Sequence, residues 1–490
     1  MIPNLRCSPN GYGAIYFCAD GRARVTAQRA TLLRAENMAK EIRGAAVRQS
    51  LVLRFAVAII GGVLMRFGTL AAEPVLPLAD KEFHMGVASC AGSTCHGAVQ
   101  TWPGSPILQN EFMTWQSKDK HAKAYDVLLS KRSKKIAANL GLPDAHTAGI
   151  CLDCHADNVP KNRRHRTFQM SDGVSCEACH GGAGRWIGTH IAAMASHKNN
   201  IANGLYSTHK PVERARLCLS CHFGDQMRFV SHRIMGAGHP RMSFELDTFT
   251  ALQPAHFKVD ADYRKRKGNW NGVQVWAIGQ AMALKTMLDA LLDPKLGRDG
   301  VFPELVLFNC LSCHRSLNEQ RWQPRTTVGL GPGIPRLQDA NLLMLQVITK
   351  HIDPQLSKQL IQSGLALHKA SRAGQDKLIK EATDLRSIVE QLIKRFSSHK
   401  FGRADMLALL KGTVKYGLDN QYTDYSGAEQ ATMALSTITA AMGNVGALNK
   451  DQQAALRKAL DACYKAVESG DNYSSKKFVA ALQGVSRLIP

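Results

Sequence analysis

The hydrophobic and polar positions after residue 72 form two regions with different patterns. Between residues 73 and 325, glycine and proline are frequent and apolar periodicity is weak, except in Trp276–Leu292, whose spacing predicts one buried helix. From residue 336 to 490 one amphipathic segment follows another, and these segments predict six or seven helices. A turn-rich stretch, Arg325–Pro335, separates the two regions. We therefore expect a mainly α protein, with an irregular domain of few helices at 73–325 and an α-helical bundle domain at 336–490.

Two helix starts in the second region have recognisable signals. Ser426 and Glu429 have the spacing of a capping box, and the helix that they predict ends at Gly443. Asn449 and Gln452 have the same spacing. The helix that begins there places four apolar residues on one face, namely Leu456, Leu460, Cys463 and Val467. Both patterns are typical of helices that bury one face in a bundle.

Residues 1–72 contain one apolar run, Phe55–Met65, with arginines before it and the small residues of Thr69–Ala72 after it. This layout is typical of a secretory signal peptide, and a run of eleven residues is short for a membrane span. A retained N-terminal anchor is the alternative, although Arg66 interrupts any longer apolar segment. No other stretch is expected to cross a bilayer. We therefore expect a periplasmic protein without a stable membrane span after cleavage.

Ten of the thirteen cysteines lie in five short motifs that each end in Cys-His. Four motifs have the form Cys-x-x-Cys-His, and they are Cys151–His155, Cys176–His180, Cys218–His222 and Cys310–His314. This form is the attachment signature of c-type haem, whose vinyl groups bind the two thiols and whose iron binds the histidine. Zinc is the main alternative for paired cysteines, but a zinc site needs no histidine directly after each pair. The motifs therefore predict covalently bound haem c.

The first motif, Cys90–His96, has four residues between its cysteines instead of two. Gly92 and Ser93 are small, flexible residues that allow this longer spacer to bulge and keep both thiols near one porphyrin. A pair of free or singly bonded cysteines is the alternative, and His96 directly after the second thiol favours haem. We therefore expect five haems and five irons. The cysteines predicted to bind them are Cys90, Cys95, Cys151, Cys154, Cys176, Cys179, Cys218, Cys221, Cys310 and Cys313.

The whole chain has a net charge of +23. Residues 1–72 contain ten Lys/Arg and three Asp/Glu, a net charge of +7, so the part expected to be exported has a net charge of +16. Two propionates on each haem would offset much of this charge, so nucleic-acid binding is not expected. Three basic runs, Lys131–Lys135, Lys161–Arg166 and Arg264–Lys267, are most simply solvated loops. Their alternatives are pairing with propionates and docking of an acidic redox partner.

The iron ligands are expected among the histidines. The predicted proximal ligands are the motif histidines, His96, His155, His180, His222 and His314. The sixth position decides the function, because a second histidine or a methionine makes a closed electron carrier, whereas an open position admits substrate. The candidate distal ligands are His121, His190, His232, His239, His209 and His84. Each has the alternative of a surface histidine, and His239 is the strongest candidate because the turn Gly236–Pro240 has little side-chain bulk.

Three segments, Gly173–Gly182, Arg214–His222 and Gly236–Glu245, resemble multihaem c-type cytochromes related to the tetrahaem cytochrome c partner of hydroxylamine oxidoreductase. The resemblance implies mainly bis-histidine haems in stacked and perpendicular pairs. It favours four of the distal candidates, His121, His190, His232 and His239. The related tetrahaem cytochrome has one haem without a sixth protein ligand, so the resemblance also allows one open haem in this chain. The fifth motif, the longer first spacer and the helical region after residue 336 depart from the family pattern.

We expect a multihaem cytochrome c that carries electrons between periplasmic or membrane-bound redox proteins, rather than an enzyme. The alternative is an oxidoreductase that acts on a small nitrogen or sulfur compound at one open haem. The Cys-x-x-Cys-Lys motif of the ammonifying nitrite reductases is absent from the sequence, which favours the carrier. No catalytic residue is predicted.

Overall fold

The computed structural model describes residues 74–192, 195–298, 300–314, 325, 328–331 and 334–490. The predicted signal peptide and its cleavage site lie outside these residues. Pro74–Pro490 is one compact unit. Its described part is helical and contains no β-strand, only three isolated bridges. The prediction of a mainly α protein is confirmed.

The part of the chain that contains the first four motifs folds into short helices. They are α1 Glu111–Lys118, α2 Ala124–Leu128, α3 Lys131–Asn139, α4 Gly149–His155, α5 Cys176–His180, α6 Trp186–His190, α7 His197–Ala202, α8 Pro211–His222, α9 His232–Gly236, α10 Leu246–Leu252 and α11 Ala261–Lys267. They are more numerous than the glycine- and proline-rich sequence predicted. One small apolar cluster, built around Leu128 and Leu152, packs here away from the main core.

A long helix, α12 Gly272–Leu292, connects the two regions. The Asn271 side chain caps its first turn by accepting a hydrogen bond from the Gln274 amide. Fifteen of its 21 residues are buried, because it packs on α8 and α10 on one side and on later helices on the other. The predicted buried helix at Trp276–Leu292 is therefore confirmed.

Seven helices follow: α13 Ala340–Ile352, α14 Pro354–Ala370, α15 Gln375–Ser398, α16 Arg403–Leu418, α17 Tyr425–Asn444, α18 Lys450–Ala466 and α19 Ser475–Ser486. This number agrees with the six or seven that the periodicity predicted. Their buried apolar residues join those of α12 in one continuous core that extends from Ala215 to Val485. The turn-rich stretch proposed as a domain boundary contributes two buried residues, Arg325 and Val328, to the same unit.

The capping box predicted at Ser426 and Glu429 is wrong. The N-cap of α17 is Asp424, whose carboxylate accepts a hydrogen bond from the Gly427 amide at 2.9 Å. Glu429 faces a different partner, described below, and the helix ends one residue beyond Gly443. The box at Asn449 and Gln452 is confirmed. The Asn449 amide donates to the Gln452 side chain, and the Gln452 amide donates to the Asn449 side chain.

By length and composition, α12 is apolar enough to cross a membrane, which was not expected of any stretch after residue 72. The helix owes this composition to its place in the core, since 78% of its most apolar window is buried inside the protein.

Candidate haem sites

Helical geometry brings the two cysteines and the histidine of a motif to one face. The second, third and fourth motifs lie at the C-terminal ends of α4, α5 and α8, and each of these helices ends at the motif histidine. Residues three and four positions apart are neighbours on a helix surface, so the spacing Cys-x-x-Cys-His suits a helical turn. The fifth motif begins with a short 3-10 turn, Cys310–Ser312.

The first motif reaches a similar arrangement through a loop. The Cys95 amide donates to the Gly92 carbonyl at 2.8 Å, and the His96 amide donates to the Cys90 carbonyl at 3.2 Å. These bonds fold the longer spacer into a loop, which brings Cys95 and His96 close to Cys90. The bulge that the sequence predicted is therefore present.

Each motif histidine faces a second histidine. The ring-centroid distances are 5.7 Å for His96 and His190, 6.2 Å for His222 and His121, 6.4 Å for His155 and His239, 6.3 Å for His180 and His256, and 6.0 Å for His314 and His232. An axial imidazole nitrogen lies about 2 Å from its metal and its ring centre about 1 Å further out, so two axial rings have centres about 6 Å apart. All five pairs therefore fit a haem iron between two histidines.

Hydrogen bonds at Nδ1 leave Nε2 as the free nitrogen in four of these rings. The Nδ1 atoms of His96 and His121 contact Glu111 and Asp119, each at 2.9 Å. Those of His155 and His239 contact backbone carbonyls, at 3.0 and 2.8 Å. Histidines that ligate metals commonly donate their other ring N–H to such an oxygen, which fixes the tautomer and the ring orientation. The donor set therefore fits iron ligation through Nε2.

The most buried motif histidines are neutral at pH 7. Burial lowers the pKa of His180 to about 3 and that of His222 to about 4, with further lowering from the nearby His256 and His121. A neutral imidazole is the form that binds a metal. Both rings are thus ready to ligate iron without first losing a proton.

The structure pairs four of the six distal candidates with a motif histidine: His121, His190, His232 and His239. His209 instead lies beside His197, with Nδ1 3.2 Å from the His197 Nε2. His84 lies beside Asp157. The partner of His180 is His256, which the sequence did not single out because it follows no motif and has no glycine-rich turn around it.

His84 belongs to a buried network of charges. Its Nδ1 lies 2.8 Å from an Asp157 oxygen, and its Nε2 lies 3.8 Å from Asp80. Although burial opposes the charged ring, these carboxylates raise the pKa of His84 to about 10. Glu177 completes a set of donors close enough for a metal ion, but its oxygens already accept the amides of Met85, Gly86 and Ala183. The network therefore joins the chain before the first motif to the loops of the second and third motifs.

The thiols show which motifs are neighbours. The Cys90 thiol lies close to that of Cys176, and the Cys154 thiol lies close to that of Cys221. Partial burial, followed by the nearby thiols of the fourth motif, raises the pKa of the half-buried Cys179 thiol. The second and fifth sites share the segment between His232 and His239. The five sites therefore adjoin one another in the order first, third, fourth, second, fifth.

The helical bundle binds the segment directly after His232 and His239, two of the candidate distal ligands. Arg241 Nη2 donates to both carboxylate oxygens of Glu429 on α17 at 2.9 Å, and the Ser243 hydroxyl donates to the same carboxylate at 2.9 Å. On the other side, Arg132 Nη2 donates to the Gly238 carbonyl at 2.8 Å. Arg132 lies in the predicted basic run Lys131–Lys135, which thus serves to hold the turn beside His239.

The comparisons with known proteins agree with the motifs. Residues 89–181, which include the first three motifs, match the family model "Cytochrome c554 and c-prime". No curated protein and no solved structure matches the chain. The match supports a c-type cytochrome that binds haem c and iron and transfers electrons.

The relative orientation of the paired rings gives a spectroscopic prediction. Two pairs, His96–His190 and His232–His314, have nearly parallel rings, at 27° and 30°, and the other three have rings at 80–89°. Parallel axial imidazoles give ordinary rhombic low-spin ferric signals, and perpendicular ones give highly anisotropic signals. Low-temperature EPR of the ferric protein should therefore resolve both classes, in a ratio of two to three. A spectrum with one class alone would contradict these orientations.

Proposed function

We propose that this protein is a periplasmic pentahaem cytochrome c that carries electrons between redox proteins of the periplasm or the membrane. The observation that supports this proposal most strongly is that all five motif histidines have a second histidine at about the distance set by an iron between them. The motif loops that resemble the tetrahaem cytochrome c partner of hydroxylamine oxidoreductase point in the same direction.

A haem iron held by two histidines would accept and release one electron at a time without binding a substrate. The protein's part is to hold and orient the rings. Glu111 and Asp119 fix two of them through Nδ1, and the bundle holds the turn that carries His239 through Arg241 and Glu429. The orientation of the ligating rings and the hydrogen bonds at their other nitrogens tune such sites.

The arrangement of the motifs also favours electron transfer. Because the sites adjoin one another in one continuous order, none of the five is isolated from the rest. The first and the fifth stand at the two ends of that order, and both have an exposed cysteine, Cys95 and Cys313. Exposure at both ends suits a protein that receives electrons from one partner and passes them to another.

The alternative, an oxidoreductase acting on a small nitrogen or sulfur compound, needs one haem with an open axial position. No motif histidine among the described residues is without a facing imidazole, so no observation here favours that alternative. Export to the periplasm rests on the sequence of residues 1–72, with Phe55–Met65 as the signal's apolar core.

Haem content and spin state test the proposal together. The purified protein should contain five haems per chain by the pyridine haemochrome assay, should be low-spin when ferric, and should bind no carbon monoxide when reduced. Cys463→Ala is the matched control for loss of a thiol, because Cys463 is buried in α18 outside the motifs, and its haem content should equal that of the wild type.

Each departure from this result has its own meaning. Four haems per chain would show that the Cys90–His96 motif does not attach one. A high-spin ferric signal, or a reduced protein that binds carbon monoxide, would show an open haem and would favour the oxidoreductase over the carrier.

A further inference from the structure

Two half-buried cations close to the third motif have no carboxylate partner within ion-pair distance among the described residues. They are Arg214 on α8 and Lys267 at the end of α11. The Arg214 Nε donates to the Thr208 carbonyl at 2.7 Å, and its guanidinium lies 4.6 Å from the Trp270 ring centre. The Lys267 ammonium lies 5.1 Å from the Tyr263 ring centre. Their neighbour Arg266, in contrast, is already bonded to Asp262, with Nε 2.7 Å from the carboxylate.

Leaving such cations partly buried and unpaired is unfavourable. Burial is the largest cause that lowers the pKa of both Arg214 and Lys267, and Arg266 and then Arg214 lower the pKa of Lys267 further. A buried charge is normally paired, since its removal from water is unfavourable without a counter-charge. Aromatic contacts recover only part of that cost. These two cations are therefore candidates for binding an anion.

Two neutral histidines stand beside the cations. His197 and His209 have ring centres 4.7 Å apart, with a contact of 3.2 Å between His197 Nε2 and His209 Nδ1. Burial and the nearby lysines, among them Lys267, lower the pKa of both to about 4. At pH 7 they add hydrogen-bonding nitrogens without adding charge, which suits a weakly solvated anion.

This cluster borders the third haem site. Lys267 and Arg214 both act electrostatically on His180, and Arg214 also acts on His256. Phe257, next to His256, is a second ring under the Arg214 guanidinium, at 5.8 Å. A haem between His180 and His256 would thus lie close to these cations, and each haem carries two propionates.

We propose that Arg214 and Lys267, with His197 and His209, form a carboxylate-binding site whose ligand is the propionate of the haem held between His180 and His256. The site rests on the proposed function, because it needs a haem at that histidine pair. It gives the basic run Arg264–Lys267 a role at the cofactor, and it explains why Arg214 is half-buried without an acidic partner. Arginine and lysine are the usual partners of carboxylates and phosphates in such sites.

The test compares Arg214→Gln with Arg216→Gln. Both arginines lie on α8, but Arg216 has a carboxylate partner, with Nη1 3.2 Å from Glu213. Loss of the Arg214 charge should make one haem harder to reduce, with about a tenfold change in its ferric–ferrous equilibrium, which corresponds to about 59 mV for one electron. The other four potentials and the low-spin spectrum should stay as they are. Arg216→Gln should leave all five potentials unchanged.

Two further measurements identify the anion. In resonance Raman spectra the propionate bending bands of one haem should shift in Arg214→Gln and remain in place in Arg216→Gln. Replacing chloride with phosphate at constant ionic strength should leave the wild-type potentials unchanged. A potential that follows phosphate would mean that a free oxyanion occupies the site, and it would overturn the assignment to propionate.

Failure of this inference can be told apart from failure of the proposed function. If His256→Ala creates one high-spin haem while Arg214→Gln changes neither potential nor Raman bands, the haem is present and the propionate site is refuted. If His256→Ala changes nothing, the haem pair itself is refuted. Should Arg214→Gln not assemble with five haems, Lys267→Gln is the second variant, and an unchanged potential there would equally overturn the proposal.

Discussion

Replacement of His256 with alanine is expected to convert one haem of five from low spin to high spin and to let that haem bind carbon monoxide when reduced. The reason is geometric, since the His256 ring centre lies 6.3 Å from that of His180 on the opposite side of the space for an iron. Alanine cannot ligate iron, so the sixth position becomes open. Cys176, Cys179 and His180 are untouched, and the haem content should therefore remain at five.

His209→Ala is the matched control for this experiment. Both histidines precede α12, but His209 faces His197 and not a motif histidine. Its removal should leave the spin state of all five haems unchanged. High-spin haem in His209→Ala together with an unchanged spectrum in His256→Ala would mean that the assigned ligand is the wrong one of the two. Electronic absorption of the ferric protein and carbon monoxide difference spectra of the reduced protein measure both outcomes.

The difference between His256 and the other distal candidates shows what the sequence can and cannot indicate. Covalent attachment of a haem depends on residues that are close in the sequence, because two thiols and a histidine must reach one porphyrin. The spacing of these residues therefore reveals the motifs in the sequence. Distal ligation joins residues that are distant in the chain, such as His96 and His190 or His314 and His232. The sequence offered glycine-rich turns and nearness to a motif as signals, and His256 has neither, with Pro254 and Phe257 as its neighbours.

The two predicted capping boxes also differ in whether local sequence decides the structure. At Asn449 and Gln452 the local hydrogen bonds meet no competition, and the predicted box forms. At Ser426 and Glu429 the same spacing occurs inside the helix, because Asp424 is a better cap and because Arg241, nearly two hundred residues earlier, binds the Glu429 carboxylate. Tertiary contacts of this kind override local signals, and periodicity alone does not reveal them.

A buried network of charges joins the fifth motif to the helical bundle. Asp424 accepts from Arg325 Nη2 at 2.6 Å and from Arg336, and Arg325 also binds Asp339. The Arg336 carbonyl accepts the amide of Asn309, directly before Cys310. Although burial opposes ionisation, Arg325 and Arg336 hold the pKa of Asp339 well below its usual range. This contribution to stability is present above the unfolded carboxyl pKa of about 4 and is lost as the pH falls below it.

Asp424→Asn should therefore lower the free energy of unfolding at pH 7 by about 3–5 kcal/mol, because two buried guanidinium groups lose the charge that they share. Asparagine still caps α17, so the loss reports the charge and not the cap. Denaturant unfolding followed by circular dichroism measures the change. Asp419→Asn is the control, since its ion pair with Lys415 is exposed and should contribute less than about 1 kcal/mol. Equal stabilities of the two variants would mean that the buried network does not fasten the fifth motif to the bundle.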